Sequence, residues 1–498
     1  MNFYFQAAGV LDRLGEKRGS VKGLIAALPE KDRKRTAALV IETLKYKSVL
    51  AETIAAAQLH KHERKLNSAN LALVLVHDAL LASGGIQAGD GPLKQAVLRH
   101  KTRMNGELQR IKIKRGVSSN AELAATADAR AASIPRYVRV NTLKWTMDEA
   151  VESLQAQGFK AGNSQNLQPR EYAADAHIPN LLLFHPQTAF QDDASYAAGK
   201  FILQDKASCF PATVLAPPAH DHATVIDATA APGNKTSQLS ALMKGKGTLM
   251  AFERDRRRFG TLQTMLAKAG CPNTSALNAD FLTTDPADER FASVSHILLD
   301  PSCSGSGIVN RLDYLMEPED DSDGSAENAR LEKLASFQLL IVRHAMKFPA
   351  ARKIVYSTCS VHEVENEHVV KAALASEEAA EAGWTLAPRI RVLPSWPRRG
   401  HPGILADQGA SESVVRCEPG EDATNGFFVA CFERASSRKR KAGDDEDDRD
   451  HDHDRDAELD VANTVDPGQS PAKKKRKKKK KKSKAVVSES EIVGLTSS

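Results

Sequence analysis

Two cysteines occupy matching positions in the second half of this chain, and each follows a short apolar run. Cys303 comes after Ile-Leu-Leu-Asp-Pro-Ser, and Cys359 comes after Ile-Val-Tyr-Ser-Thr. If both runs are strands of one parallel sheet, their carboxyl ends meet at the edge where such sheets bind ligands. A thiolate is a strong nucleophile, so two thiols at this edge indicate covalent catalysis. A single cysteine of this kind is more often a buried packing residue, and the paired placement favours chemistry.

A third apolar run ends in Asp227 and a loop of small residues. Gly233 and its small neighbours let the backbone approach a ligand, and the following helix offers its N-terminal amides. The glycine spacings of phosphate-binding and dinucleotide-binding loops are absent. Glu253 ends the next strand, where an acid suits two ribose hydroxyls, and Asp280 follows the strand after it, where a carboxylate could accept from an adenine amino group. This set predicts S-adenosylmethionine rather than NAD; the alternative is a packing loop with two exposed carboxylates.

A cysteine beside an S-adenosylmethionine site has a specific chemical use. Amine methylation needs no covalent adduct, because nitrogen is already a nucleophile. Amino-directed enzymes more often carry Asp/Asn-Pro-Pro-Tyr/Phe where this chain has Asp300-Pro-Ser-Cys303. Carbon 5 of a pyrimidine becomes nucleophilic only after a thiolate adds at carbon 6. An ordinary thiol has a pKa of about 8.5, so the attacking cysteine needs a polar, electropositive setting.

Positioning these strand ends requires an open α/β sheet, and the pattern of residues 216–434 predicts one. Short apolar runs alternate with segments of helical periodicity, as in a parallel sheet with helices on both faces. The predicted strands are 224–227, 248–252, 274–277, 295–299, 353–356 and 427–432, and the predicted helices are 236–244, 256–269, 330–348 and 363–375. We therefore assign residues 216–434 to a Rossmann-like class I methyltransferase sheet that binds S-adenosylmethionine.

Two regions precede this sheet. Residues 1–130 carry apolar residues at helical spacing, for example over 35–45 and 71–81, and predict an N-terminal helical region. Residues 131–215 change period and predict a small α+β module, with a helix over 147–157.

The first strand of this module, from Arg136 to Asn141, carries a second prediction. Its alternation indicates a half-buried strand, on which Arg136, Tyr137, Arg139 and Asn141 are available for phosphate contact and base stacking. This makes the segment an RNA-recognition module; the alternative is an ordinary edge strand. The basic run 256–258 could also contact RNA, but we expect it to be solvated.

The composition excludes several classes of protein. Hydrophobic residues make up 41% and charged residues 27% of the chain, which is enough apolar surface for a core. Six cysteines without a C-x-x-C pair argue against a zinc module and a secreted disulfide framework, so we expect a reduced intracellular protein without a bound metal. The start lacks the basic region of a signal peptide. No run of ~20 apolar residues exists to span a membrane.

Residues 435–498 differ sharply in composition. They hold 17 Lys and Arg and 14 Asp and Glu, which leaves the preceding chain at only about +3. Any basic surface on the body must therefore be local. Such a segment cannot bury enough apolar surface to fold, so we predict a disordered charged tail. Its run 473–482 resembles a nuclear or nucleolar import signal, and would bind an import receptor and, non-specifically, RNA. An acidic insert at 313–328 is predicted to be a solvated loop or, alternatively, a gate over the site.

Together the motifs carry a resemblance to a known family. Asp-Ala-Thr-Ala-Ala-Pro-Gly-Asn-Lys-Thr (227–236), Leu-Leu-Asp-Pro-Ser-Cys-Ser-Gly-Ser-Gly (298–307) and Tyr-Ser-Thr-Cys-Ser (356–360) resemble the Sun-domain (NOL/NOP/Sun) RNA cytosine-C5 methyltransferases. The likeness extends from residue 136 to residue 434 and includes the segments 137–142, 204–208 and 425–430. Asp-Pro-Ser-Cys at 300–303, the segment 311–315 and the tail resemble the eukaryotic branch that acts on large-subunit ribosomal RNA.

The resemblance implies a role for each motif. Cys359 would add to carbon 6 of cytosine, Cys303 would assist release of the methylated base, and Asp300 would hydrogen-bond the cytosine ring. Spacing alone does not say which thiol attacks. The implied cofactor contacts are Thr229, Ala230, Ala231, Pro232, Gly233, Asn234, Lys235, Glu253, Asp280 and Asp300. Two positions depart from the pattern: Ser302 stands where many members have Pro, and Thr229 stands where many have Cys.

The resulting prediction is an S-adenosylmethionine-dependent RNA (cytosine-5) methyltransferase acting on ribosomal RNA in the nucleus and nucleolus. Its target base must lie outside the helical stack, and pre-ribosomal particles are candidate partners. One alternative is an RNA-binding ribosome-assembly factor without turnover. Another is a Rossmann oxidoreductase, which would bind NAD and show no dependence on the thiols.

Overall fold

The computed structural model describes residues 1–434 except 17, 20, 125–128, 310–314 and 316–324. The predictions for the charged tail, for most of the acidic insert and for most of the 311–315 segment therefore lie outside the described residues. None of the described helices combines the length and the apolar character that a membrane span needs. Within the same residues, no group of His, Cys, Asp and Glu side chains is placed to hold a metal ion.

The described part of residues 1–124 contains eight α-helices packed around one apolar core. They are α1 (Asn2–Gly15), α2 (Val21–Ala26), α3 (Glu30–Lys45), α4 (Lys47–Ala56), α5 (Leu59–His62), α6 (Ala69–Leu80), α7 (Pro92–Arg99) and α8 (Lys101–Arg115). The central helix α6 is buried along most of its length, and Ser68 caps it by accepting a hydrogen bond from the Leu71 amide at 3.1 Å. The helices predicted over 35–45 and 71–81 are confirmed.

Residues 136–203 form a five-stranded sheet with strand order β2-β3-β4-β1-β5. Its strands are β1 (Arg136–Val140), β2 (Lys160–Ala161), β3 (Glu171–Ala174), β4 (Leu181–Phe184) and β5 (Phe201–Leu203), accompanied by α9 (Met147–Ala156) and α10 (Ala194–Ala197). The helix predicted over 147–157 is confirmed, and Thr146 and Glu149 form a capping box at its start. β1 pairs with β4 on one side and β5 on the other, so it is an interior strand.

A second sheet of eight strands has the order β11-β13-β10-β9-β6-β7-β8, with β12 paired to β13. Its strands are β6 (Thr224–Asp227), β7 (Thr248–Phe252), β8 (Thr274–Leu277), β9 (Val294–Leu299), β10 (Lys353–Thr358), β11 (Trp384–Leu386), β12 (Val415–Cys417) and β13 (Phe427–Arg434). Its helices are α11 (Lys206–Leu215), α12 (Asn234–Leu242), α13 (Arg256–Ala269), α14 (Ser325–Met346), α15 (Glu367–Leu374), α16 (Glu377–Ala382) and α17 (Gln408–Glu412).

All six strands predicted for this sheet are present, and the predicted helices appear with small shifts at their ends. The five strands β8, β7, β6, β9 and β10 are parallel, but β13 is antiparallel to β10, so the prediction of a wholly parallel sheet is wrong. A buried strand reads as a continuous apolar run in either direction, and hydrophobic pattern alone does not reveal its polarity. Helix α11, which we grouped with the small module, packs against β9, β10 and β13.

Three of the four predicted RNA-contacting residues on β1 are buried, which corrects that prediction. Tyr137, Arg139 and Asn141 have exposed fractions of 4%, 2% and 0%. Tyr137 donates to the carbonyl of Ala423 at 2.7 Å, and Asn141 donates to the carbonyl of Ala269 at 2.8 Å. The alternation did indicate polar groups on one face, but that face is covered by the larger domain, whose backbone satisfies them.

Arg139 joins the small sheet to the helix that begins at the predicted cofactor loop. Its Nε donates to Gln204 Oε1 at 2.7 Å, and its Nη2 donates to Ser237 Oγ at 2.8 Å and to the Asn234 carbonyl at 3.2 Å. Burial lowers the pKa of Arg139 to about 10, and the guanidinium therefore still carries its charge at neutral pH. The two regions are thus connected by a buried cation and not by apolar packing alone.

We expect Arg139→Met to lower the free energy of unfolding by about 2–4 kcal/mol, because it leaves buried acceptors without their donors. Chemical denaturation followed by circular dichroism measures this change. Arg136→Met is the matched control, since Arg136 is exposed on the same strand, and it should change stability by less than about 0.5 kcal/mol. Equal effects of the two substitutions would contradict the role given to the buried guanidinium.

Candidate active site

The strand order of the larger sheet opens a crevice at the carboxyl end of β6. β6 lies between β7 and β9. The chain continues from β6 to β7 on one side of it and later returns from β8 to β9 on the other side, and ligands bind at such a point in the sheet. Asp227 and Glu253 stand at the ends of β6 and β7, and Asp300 and Cys359 directly follow β9 and β10. The residues with predicted chemical roles therefore gather along one edge.

The structure brings the two predicted catalytic cysteines together. The sulfur atoms of Cys303 and Cys359 are 3.1 Å apart, and both residues are partly exposed and not joined in a disulfide. The amide of Gly307 donates to the carbonyl of Cys359 at 2.9 Å and ties the two loops to each other. The hydrogen bond with Cys359, burial and the nearby charge of Asp300 raise the pKa of Cys303 well above that of an ordinary thiol. Cys303 is therefore protonated at neutral pH.

A partly buried ion pair lies beside the thiols. Lys235 Nζ is 2.9 Å from Asp300 Oδ2, and Ser357 Oγ donates to Asp300 Oδ1 at 2.8 Å. Burial opposes the charge on Lys235, but the charge and hydrogen bond of Asp300, together with the charge of Cys359, raise the pKa of this ammonium. Lys235 was predicted only as a cofactor contact; its position in the crevice also supplies the electropositive setting that a thiolate at Cys359 requires.

A buried polar network supports the loop that carries Cys303. Glu365 Oε1 accepts from the Ser304 amide and from Gln338 Nε2, both at 2.9 Å, and Gln338 Nε2 also donates to the Ser302 carbonyl at 3.0 Å. Tyr356 donates to the Glu365 carbonyl at 2.5 Å. The sequence analysis missed Glu365 and Gln338. A carboxylate six positions after Cys359 was a possible signal, but its partners lie on distant segments.

The cofactor loop is held tightly at both ends. Asp227 is buried and accepts from Thr236 Oγ1 at 2.7 Å, and burial raises the pKa of Asp227 to about 6. Gly233 has a φ of 112°, and a Cβ at this position would lie 3.2 Å from Leu262 Cδ1. Only glycine meets both conditions without strain. Helix α12 begins immediately after Gly233 without a side-chain cap, so its first amides remain available to a ligand.

The two predicted nucleoside-binding carboxylates stand at neighbouring strand ends. Glu253 is buried and accepts from the Asp255 amide at 2.8 Å, while Asp280 accepts from the Leu282 amide at 3.0 Å. Arg258, which we expected to be solvated, lies 3.5 Å from Glu253 Oε2. It also donates to the carbonyl of Ala231 at 2.9 Å, and so links α13 to the cofactor loop.

Two segments that carried the family resemblance meet beside the thiol loops. Asp205 accepts from Thr424 Oγ1 at 2.6 Å and from Asn425 Nδ2 at 2.8 Å. The Gly426 amide donates to the Gly307 carbonyl at 2.7 Å, and a Cβ on Gly307 would lie only 2.3 Å from the Gly426 carbonyl oxygen. The glycines in these two motifs therefore allow two loops to touch.

Comparison with known proteins defines the class and then the family. Residues 212–433 match the family model of 16S rRNA methyltransferase RsmB/F. Residues 34–124 and 134–204 match the N-terminal and ferredoxin-like domains of NOL1/NOP2/Sun domain family member 5. The crystal structure of PH0851 has the same fold, with a TM-score of 0.55 and 19% identity over 82% of this chain and 91% of that chain. The fold and the matched segments define a Rossmann-like RNA methyltransferase.

Two relatives carry the assignment further. The 25S rRNA (cytosine-C(5))-methyltransferase rcm1 of Schizosaccharomyces pombe is 45% identical over 86% of this chain and 91% of its own length. The 28S rRNA (cytosine-C(5))-methyltransferase of Mus musculus is 41% identical over 87% of this chain and 91% of its own length. The chain belongs to the NOL1/NOP2/Sun family of RNA cytosine-C5 methyltransferases, in the member 5 group.

The ammonium of Lys235 should control the reactivity of Cys359. We expect Lys235→Met to slow alkylation of Cys359 by iodoacetamide about tenfold, because loss of the neighbouring positive charge reduces the thiolate population. Mass spectrometry of the peptide containing Cys359 measures the rate. Lys246→Met removes an exposed charge and should leave the rate unchanged. Equal rates in the two variants would contradict the pairing of charge and sulfur.

Proposed function

We propose that this protein transfers a methyl group from S-adenosylmethionine to carbon 5 of a cytosine in large-subunit ribosomal RNA, through a transient bond between Cys359 and carbon 6. The observation that carries the proposal is the pair of cysteines with sulfur atoms 3.1 Å apart, next to the Lys235–Asp300 ion pair. The names of the S. pombe and mouse relatives support the base, the ring position and the RNA class.

The residues at the sheet edge fit S-adenosylmethionine. Gly233 lets the loop pack without a side chain, and the uncapped amides of α12 face a polar ligand end. Glu253 and Asp280 would accept from the ribose hydroxyls and the adenine amino group, and the remaining contacts would come from residues 229–235. When bound, the cofactor supplies an electrophilic methyl group. The chain supplies the orientation of that group toward the thiols.

Cys359 is the proposed nucleophile. Its thiolate, stabilised by Lys235, would add to carbon 6 of cytosine, and the ring electrons would shift so that carbon 5 can form a new bond to the methyl group. Asp300, held by Ser357 and Lys235, would hydrogen-bond the ring and favour its protonated, electrophilic form. All three groups come from strand ends or from α12, so their positions are set by rigid elements.

Cys303 is the proposed base for product release. Before attack, its hydrogen bond to Cys359 is the largest cause of its raised pKa, which keeps it a neutral thiol. Once the sulfur of Cys359 is bonded to carbon, it carries no charge, and the interactions that hold the proton on Cys303 become weaker. Cys303 would then lose its proton to solvent and, as a thiolate, take the proton from carbon 5. The electrons of that C–H bond would restore the double bond between carbons 5 and 6, and the carbon–sulfur bond would break with return of its electron pair to Cys359.

We expect Cys359→Ala to abolish methylation while S-adenosylmethionine binding stays within about twofold, because the thiol acts on the base and not on the cofactor. Bisulfite sequencing of large-subunit ribosomal RNA, from cells in which the variant replaces the wild type, measures the modification. Isothermal titration of the purified variant measures cofactor affinity. Cys271→Ala is the control, since Cys271 is not at the thiol pair. Methylation by Cys359→Ala at the wild-type level would refute the nucleophile assignment and favour an assembly factor whose RNA is modified by another enzyme.

The second thiol gives a different signature. We expect Cys303→Ala to accumulate a covalent protein–RNA species that survives a denaturing gel, because attack proceeds while release is blocked. The double variant Cys303→Ala/Cys359→Ala should lose this band, which identifies the sulfur that holds the RNA. A band that persists in the double variant, or that never forms in the single variant, would overturn the release role.

Nuclear or nucleolar location and contact with pre-ribosomal particles belong to the same proposal. They rest on the ribosomal RNA named for the relatives and on the basic run 473–482 as an import signal for a receptor.

A further inference from the structure

Charge is distributed unequally between the helical region and the rest of the folded chain. Residues 1–124 contain 21 Lys and Arg against 11 Asp and Glu, a formal net charge of +10. Residues 125–434 contain 31 Lys and Arg against 38 Asp and Glu, a net charge of −7. Of this charge, −6 falls in residues 125–128 and 310–324, so the described part that holds the thiols and the cofactor loop is close to neutral. It offers a polyanion no net attraction over long range, and attraction must come from a local surface.

The positive charge of the helical region is concentrated on α8 and on the segment around α5. We name this surface the basic helical face. Its members are exposed cations on these two segments: Lys61, Arg64, Lys65, Arg103, Arg110 and Lys114. Arg103, Arg110 and Lys114 lie seven and four residues apart and therefore share one side of α8 over about 16 Å. The side chains of Arg110 and Lys114 are each 79% exposed.

The two segments form one surface. Arg103 Nη1 lies 3.4 Å from His62 Nε2, and the rings of His62 and His100 stack with centroids 5.5 Å apart. Three carboxylates lie beside this surface: Glu63 pairs with Arg99, Glu107 lies 3.1 Å from Arg110, and Glu52 lies 3.7 Å from Lys114 and 3.1 Å from Arg115. The nine Lys and Arg of α8 and residues 59–65 still outnumber these three carboxylates, so the surface keeps a positive net charge.

The basic helical face belongs to a region that is anchored close to the active site. Leu315 packs in the apolar core formed by the N-terminal helices. Val309, at the end of the thiol loop, is six residues earlier. Even a fully extended chain therefore separates Val309 from Leu315 by at most about 21 Å. The backbone amide of Val309 donates to Asn425 Oδ1 at 3.2 Å, which fixes that end of the connection beside the site.

We infer that the basic helical face binds the phosphate backbone of the substrate RNA while the target base enters the thiol crevice. This inference rests on the proposed function for its RNA. It also replaces the surface expected on β1, whose Tyr137, Arg139 and Asn141 are buried. A cluster of exposed lysines and arginines fits a phosphate polymer, because contacts to phosphates provide affinity without reading sequence.

The test is a triple substitution, Arg103→Gln/Arg110→Gln/Lys114→Gln, in the full chain. The probe is a fluorescein-labelled hairpin of large-subunit ribosomal RNA, titrated between about 50 and about 200 mM KCl. We expect the affinity to fall at least about tenfold at the lower salt, and the slope of log K against log salt to become shallower by about 2 to 3. Every variant keeps residues 435–498, so the contribution of the tail cancels.

A charge-matched control separates a local surface from net charge. Lys160→Gln/Lys246→Gln/Arg352→Gln removes three exposed cations from the two sheets, and should change affinity less than about twofold. Similar losses in both triples, or no loss in the first, would overturn the inference. So would unchanged RNA binding combined with lost binding to polyglutamate, which would identify an acidic protein partner. Failure of the proposed function would give a different result. The wild type would bind the hairpin more tightly than the triple variant, with the expected difference in salt dependence, but would transfer no methyl group.

Discussion

A largely buried ammonium next to a pair of thiols is the interaction on which this site depends. Without Lys235, the crevice would hold Asp300 and a thiolate at close range with no compensating cation, and desolvation would favour neutral thiols. Lys235 is the second residue of α12 and directly follows the Gly233 turn. The segment that would hold the cofactor therefore also places the charge that would activate the nucleophile. Cofactor binding and nucleophile activation therefore share one structural element.

The loops that carry the two sulfur atoms have little regular structure, and buried polar contacts replace it. Thr358 Oγ1 donates to Asn366 Oδ1 at 2.5 Å, and Asn366 Nδ2 returns to the Ser360 carbonyl at 2.9 Å, which encloses Cys359. Beneath this turn, Glu367 and Arg416 form a buried pair; burial opposes the charge of Glu367, but the hydrogen bond of Arg416 lowers its pKa below the ordinary value. Each of these groups would be costly to bury alone, so the loops keep one arrangement.

The predictable part of this molecule is the part that depends on local pattern. The strands ending at Asp227, Phe252 and Leu277 begin and end where their apolar runs do. The direction of β13 and the existence of the three-residue strands β11 and β12 depend on neighbours that pattern does not contain. The polar residues of β1 and Asn141 were recognised, but their partners lie on distant segments, namely α12, α13 and the loop at Ala423. The burial of Arg139 therefore followed from tertiary contact. The Glu365 network was missed for the same reason, whereas the meeting of the two thiols followed from strand topology.

The position of Arg139 also limits which domains of this protein can be exchanged with those of a relative. Its guanidinium spans two sheets and ends on the first turn of α12, so the ferredoxin-like domain cannot be exchanged as an autonomous cassette. A transplanted domain would have to bring a cation that reaches the Asn234 carbonyl and Ser237, or it would leave these polar atoms without their donor. Inheritance of the two domains as a single block is the expected outcome, and diversification should concentrate in the peripheral helices and loops instead.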